Sequence, residues 1–149
     1  MSVKRILFVC TGNTCRSPMA EIILKRKLKL AGIKDVRVSS AGLSACEGDK
    51  ISVHSAKALK QLGYKPYSFR SRLATGALLI NSDIIICMTA EHKSRISNFP
   101  NVYTISEISG GEDIPDPYGQ DLGAYIRVSH MLEDACNSIL DKILEKKEK

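Results

Sequence analysis

Two periodicities alternate along the chain. Ile6-Leu7-Phe8-Val9 is an unbroken apolar run, the pattern of a strand covered on both faces. Over residues 18–31, Met19, Ile22, Ile23, Leu28 and Leu30 stand among lysines, which predicts an amphipathic helix ending near Gly32. Val36-Arg37-Val38 predicts a second strand that closes on Ser40-Ala41-Gly42. Val53, Ala56, Leu59 and Leu62 recur at helical spacing as far as Gly63. A helical stretch over 73–80 leads into Ile84-Ile85-Ile86-Cys87-Met88, the most strand-like segment of the chain, and Val102 to Ile105 predicts a weaker fourth strand. Beyond the loop GGEDIPDPYGQD, a long helix over 121–146 carries Ile126, Met131, Ala135, Ile139 and Leu140 on one face.

Strands alternating with helices predict an α/β fold, a three-layer sandwich with a central four-stranded parallel sheet and helices on both faces. No repeat, linker or low-complexity segment divides the sequence, so residues 1–149 are expected to form one domain. Right-handed crossovers gather the strand-to-helix loops at one edge of such a sheet, where its ligands bind. The stretch after Val9, Ser40-Ala41-Gly42, Met88-Thr89 and the GGEDIPDPYG loop should therefore share one crevice.

Composition narrows the class. No apolar run reaches the ~18 residues that span a bilayer, and the short apolar N-terminal stretch runs into polar residues without a small-residue cleavage site. A soluble, cytoplasmic protein without a membrane partner is expected. Five cysteines without a repeating spacing fit a reducing compartment, and the absence of a CxxC pair argues against zinc. The net charge of +6 fits a solvated basic surface. With aromatics at 5% and no aromatic–basic interleaving, nucleic-acid binding gains no support from it.

The chemistry concentrates in VCTGNTCRSPMAE, residues 9–21, between the first strand and the first helix. Ser17-Pro18 predicts the helix start, with serine as the cap. A turn feeding a helix presents backbone N–H groups and the positive end of the helix, a cradle for a tetrahedral anion. Gly12 is expected to let the backbone curl, and Arg16 offers a planar fork of donors to two oxygens of the anion. The same field should lower the pKa of Cys10 from ~8.5 to roughly 4–7, making a thiolate aimed at phosphorus. Neither GxGxxG nor Gly-Lys-Ser/Thr is present to suggest a nucleotide loop.

With Cys10-Thr11-Gly12-Asn13-Thr14-Cys15-Arg16-Ser17 as a CX5RS motif and Asp116-Pro117-Tyr118 as a DP motif, the chain resembles the low-molecular-weight protein tyrosine phosphatases over essentially its whole length. That resemblance implies a cysteine-dependent phosphatase of phosphorylated protein substrates that uses neither cofactor nor metal, with inorganic phosphate as product or inhibitor. It implies Cys10 as nucleophile and Arg16 as phosphate clamp. Thr11, Gly12, Asn13, Thr14, Cys15 and Ser17 would form the binding loop, and Tyr118 a wall of the pocket mouth. Asp113 and Asp116 are both candidates for the general acid, and the family motif selects Asp116, stiffened by Pro115 and Pro117. Ser17 would hydrogen-bond the sulfur. Asn13 would brace the loop through Ser40, although ordinary turn chemistry accounts for both residues as well. Cys15 is either a partner that traps an oxidised Cys10 as a disulfide or a small buried residue.

The fifth loop residue, Thr14, stands where many relatives have isoleucine, and TGNTCRSPMAE is similar to the wording of bacterial protein-arginine phosphatases. This tilts the expected substrate towards phosphoarginine over phosphotyrosine. Phe69 stands where many relatives have a histidine that supports the Ser40–Asn13 contact, which places that contact in doubt. His92 is expected on a helix surface. The alternatives are an arsenate reductase of the same fold, which requires further cysteines outside the buried strand of Cys87, and a non-catalytic phosphate-binding module.

Overall fold

The computed structural model describes residues 3–147. Its elements run β1 (Arg5–Cys10), α1 (Arg16–Leu30), β2 (Arg37–Gly42), α2 (Val53–Gln61), α3 (Gly76–Ile80), β3 (Ile84–Cys87), α4 (Ala90–Arg95), β4 (Val102–Thr104), α5 (Ile105–Ser109) and α6 (Leu122–Lys147). The four strands form one parallel sheet in the order β2-β1-β3-β4, so the α/β fold expected from the sequence is the one found.

The period of two in β1 and β3 divides the apolar residues between two cores. Ile6, Phe8 and Cys10 of β1 and Ile86 of β3 face α1 and α6, where they meet Met19, Ile23, Leu132 and Cys136. Leu7 and Val9, with Ile85 and Cys87, face the opposite way onto Leu79 of α3, Ile96 and Val102. Because β1 and β3 are each covered on both sides, an unbroken apolar run satisfies them.

Chain order places the site. The strand after β1 lies on one side of it and β3 lies on the other, so the connections leaving β1 and β3 diverge at the carboxyl end of β1. A crevice opens at such a reversal of strand order. Cys10, the last residue of β1, sits at its floor.

Several boundaries differ from the sequence pattern. Helix α1 begins at Arg16 with Cys15 as its cap residue, and no side chain caps it. Ser17 is therefore inside the first turn. Pro18 is tolerated there because first-turn N–H groups have no helical acceptor. β2 starts at Arg37, one residue later than expected, and closes on Ser40-Ala41-Gly42 as expected. The helix expected over 73–80 shrinks to Gly76–Ile80, because Leu73 bridges Gly42 and the Ala74 N–H bonds to the Gly42 carbonyl. α4 and α5 are too short for a periodicity; their signals were the caps Thr89 and Thr104, the latter in a capping box with Glu107. The buried face of α6 is Tyr125, Val128, Leu132, Ala135, Cys136 and Ile139, whereas Ile126, Met131 and Leu140 only flank it. Leu30 and Val53, counted among the apolar faces, are exposed.

One close approach locks β2 to the loop after β1. A Cβ added to Gly42 would stand 2.5 Å from the Thr11 carbonyl oxygen and 2.9 Å from the Asn13 nitrogen, both backbone atoms. Gly42→Ala is expected to lower stability by about 1–3 kcal/mol, as overpacking against backbone does. Urea unfolding measures it, and an unchanged midpoint would show that the loop yields freely.

Candidate active site

The loop from Thr11 to Cys15 is held by one side chain. Asn13 is fully buried and takes the left-handed conformation (φ 56°), which asparagine tolerates better than most residues. Its Nδ2 donates to Ser17 Oγ (2.8 Å) and to Ser40 Oγ (2.9 Å), and its Oδ1 accepts the Arg72 backbone N–H (2.9 Å). Gly12 proves less constrained than expected. Its φ is not positive, and an added Cβ would meet only Thr14 Oγ1 at 3.8 Å, an ordinary contact. The conformational demand falls on Asn13 and the steric demand on Gly42.

The backbone N–H groups of residues 11–15 donate to no protein oxygen among the described residues. The Asn13 and Ser17 N–H groups point at the Cys10 sulfur. Cys10 Sγ lies 2.8 Å from Ser17 Oγ. Since Ser17 Oγ accepts from Asn13, its own proton is available to the sulfur. The line continues outward, because Ser40 Oγ donates to Glu21 Oε1 (2.9 Å) and Lys25 pairs with Glu21 Oε2 (3.1 Å). Glu21, a buried carboxylate of α1, thus ends the chain of hydrogen bonds from Ser40, and the contact placed in doubt by Phe69 is present.

The thiol's protonation departs from expectation. Cys10 is 2% exposed, and burial pushes its pKa above the ordinary thiol value. The Ser17 hydroxyl and N–H, the Arg16 guanidinium and the Asn13 N–H pull it back down, in that order. The expected thiolate of the open loop is corrected accordingly: desolvation outweighs the field in this structure.

Arg16 is buried in the crevice wall. Its Nη1 donates to the Ile114 carbonyl (3.1 Å), and its Nη2 stands 3.8 Å from Asp116 Oδ2. The two candidate acids separate here. Asp113 is engaged as a brace, accepting the Ala90 N–H (2.9 Å) and the Ser106 hydroxyl (3.0 Å). Asp116 faces Arg16 with a side chain 54% exposed, and Oδ1 accepts the Tyr118 N–H at 3.0 Å. Tyr118 is exposed at the rim.

Cys15 is a buried free thiol, as is Cys10; its sulfur lies 3.5 Å from Ser52 Oγ and 3.8 Å from Tyr125 OH. The Thr14 carbonyl accepts the Ser52 N–H (2.9 Å), so the cap of α2 fixes this side of the loop. His92 is not on a surface. It is 4% exposed and its Nε2 is 2.9 Å from Thr11 Oγ1. Glu21, Gly42, Ser52 and His92 are the contributors that sequence reasoning missed. Each lies far along the chain from its partner or, for Glu21, one turn beyond the motif. The cap at Ser52 and the Ser-Ala-Gly strand end were their only local signals.

A buried sulfur that meets the Ser17 hydroxyl and two backbone N–H groups, within the field of a guanidinium that itself faces a carboxylate, at the end of an inner strand of a parallel sheet, has the make-up of a cysteine-centred oxyanion site of the phosphatase class. The model of the family described as low molecular weight phosphotyrosine protein phosphatase matches residues 5–149, and the chain belongs to that family; it is a phosphatase. It is 36% identical over 149 residues to a protein-arginine-phosphatase of Geobacillus stearothermophilus, covering 95% of each chain. It is 35% identical over 149 residues to the low molecular weight protein-tyrosine-phosphatase PtpB of Staphylococcus epidermidis, covering 97% of this chain and 99% of that one. Among solved structures, it is similar to a YwlE arginine phosphatase mutant with a phosphorylated active-site serine, with a TM-score of 0.88, 30% identity and coverage of 97% and 98%. Among the described residues no helix is long and apolar enough to cross a membrane.

Removing the Ser17 hydroxyl takes away an interaction that lowers the Cys10 pKa, so Ser17→Ala should move the midpoint of Cys10 alkylation to higher pH. An iodoacetamide rate–pH profile checks this; a midpoint that stays or falls contradicts the hydrogen bond's assigned sense.

Proposed function

We propose that the protein hydrolyses phosphorylated side chains of proteins, phosphoarginine in preference to phosphotyrosine, with Cys10 as nucleophile, Arg16 as phosphate clamp and Asp116 as general acid. The carrying observation is the buried Cys10 sulfur at the start of a loop whose N–H groups donate to no protein oxygen among the described residues, within the field of Arg16, which in turn pairs with Asp116. Loop amides and Arg16 hold the non-bridging oxygens of the phosphoryl group. The thiol proton passes to one of those oxygens, and the sulfur attacks phosphorus in line with the departing atom. The S–P bond forms as the P–N bond of phosphoarginine (P–O of phosphotyrosine) breaks, and Asp116 delivers the proton that the leaving atom takes. Asp116 then removes a proton from water, which attacks the cysteinyl-phosphate. The S–P bond breaks and inorganic phosphate leaves.

The preference for phosphoarginine is supported by Thr14, whose hydroxyl at the loop suits a polar guanidino group better than a phenyl ring, and by the arginine phosphatases among the relatives. Arsenate reduction is disfavoured. Cys87 lies fully buried in β3 with its pKa pushed up to about 12 by burial, so it is not placed to relay a disulfide outward. A module that only binds phosphate has no use for a carboxylate held beside Arg16.

Phosphate release from phosphoarginine and phosphotyrosine peptides tests this directly. Cys10→Ser should abolish turnover while phosphate still binds. Asp116→Asn should cost ~10²–10⁴ in kcat. Thr14→Ile should shift the preference towards phosphotyrosine; an unchanged ratio removes the case for phosphoarginine, and turnover in Cys10→Ser removes the mechanism.

A further inference from the structure

His92 lies in the first turn of α4, and both of its ring nitrogens are engaged. Nδ1 is 3.0 Å from Thr89 Oγ1, and Nε2 is 2.9 Å from Thr11 Oγ1. The bonds around Thr89 favour one tautomer. As cap of α4, Thr89 Oγ1 accepts the His92 backbone N–H (3.3 Å), which leaves the Thr89 hydroxyl proton for Nδ1. With Nδ1 accepting it, the ring proton sits on Nε2 and is donated to Thr11, and this is the tautomer taken for His92. Burial, aided by the Arg16 cation, pushes the His92 pKa down to about 4, and the ring is neutral at physiological pH.

Thr11 directly follows Cys10. Its side chain accepts from His92, its carbonyl accepts the Ser44 N–H (2.9 Å), and its own hydroxyl proton has no acceptor among the described residues. The charges of Arg16 and Asp116 both act on the His92 ring, and Thr11, which it contacts, is the residue next to Cys10. A side chain present for packing alone has no need of a polar edge. Burying an imidazole carries a desolvation cost that its two hydrogen bonds offset.

Building on the phosphatase reading, we propose that His92 is a substrate-positioning residue: its Nε2–H fixes the Thr11 hydroxyl so that the Thr11 proton donates to an oxygen of the bound phosphoryl group. His92 itself touches no reacting atom. Its effect reaches the substrate only through Thr11, and this separates it from a residue that merely supports α4.

The test is a variant cycle read by two independent measurements. In peptide hydrolysis, Thr11→Val and His92→Leu should each lower kcat/KM about three- to tenfold, mainly through KM, the scale of one lost hydrogen bond. The double variant should be no worse than Thr11→Val alone, because both changes remove the same contact. His92→Asn keeps the Thr89 contact without the Nε2 donor and should show the same loss, which covers the case of a leucine variant that fails to fold. His92→Gln restores an Nε2 donor and should recover most of the loss. In the second measurement, the inorganic phosphate concentration that half-protects Cys10 from alkylation should rise by a similar factor in Thr11→Val and in His92→Asn. Losses that multiply in the double variant, or wild-type phosphate protection in His92→Asn, overturn the proposal. A wild-type protein that hydrolyses neither peptide sinks the phosphatase reading instead, and the protection measurement still decides the role of His92.

Discussion

The buried amide of Asn13 is the contact on which the rest of the site depends. Its two N–H donors and its oxygen are all engaged, and their partners lie on three separate parts of the chain: α1, β2 and the segment at Arg72. This is what fixes a short loop whose own N–H groups donate to no protein oxygen among the described residues. It also sets a direction. Because Ser17 accepts from Asn13, the Ser17 proton is turned towards the sulfur, and because Ser40 accepts from Asn13, the Ser40 proton is turned towards Glu21. A left-handed residue with a smaller or apolar side chain would satisfy the turn and lose both orientations.

The sheet supplies the frame for that amide. β1 is the inner strand between β2 and β3, and its alternating residues feed two cores, so Cys10 is positioned by packing on both faces. The Met88 N–H bonds to the Val9 carbonyl, and the Ile114 N–H bonds to the Met88 carbonyl. This ladder carries the registry of β1 outward to the loop that bears Asp116. Arg16 closes the circuit through the Ile114 carbonyl. Cys10 and Asp116, far apart in sequence, are thus connected through two backbone hydrogen bonds and one guanidinium.

What could be read from the sequence was whatever is contiguous. The strand-alternation pattern, the sheet and the cysteine–arginine bracket are local patterns, and each is present as expected. Asp116 was distinguished by its neighbouring prolines and the family motif; that Asp113 holds the Ala90 N–H and the Ser106 hydroxyl while Asp116 faces Arg16 is visible only in the fold. The misses have a common cause. The demand on Gly42 arises from a backbone passing it from another element, and the burial of His92 from a loop more than eighty residues earlier; no window of sequence contains either pair. The Cys10 pKa failed for a different reason. Charges and helix ends are visible in a sequence, but the loss of water around a sulfur is a property of the closed fold.

The exposures of the two halves of the site are very unequal. The sulfur, Asn13, Ser17 and Ser40 are sealed within the fold, while Asp116 stands more than half in solvent and Tyr118 is almost wholly outside. Phosphorus therefore meets a floor that cannot be altered without disturbing two cores, and the remainder of the incoming molecule meets a rim answering to no packing constraint. A lineage built on this scaffold can change its clientele residue by residue while the bond it breaks stays tied to phosphorus.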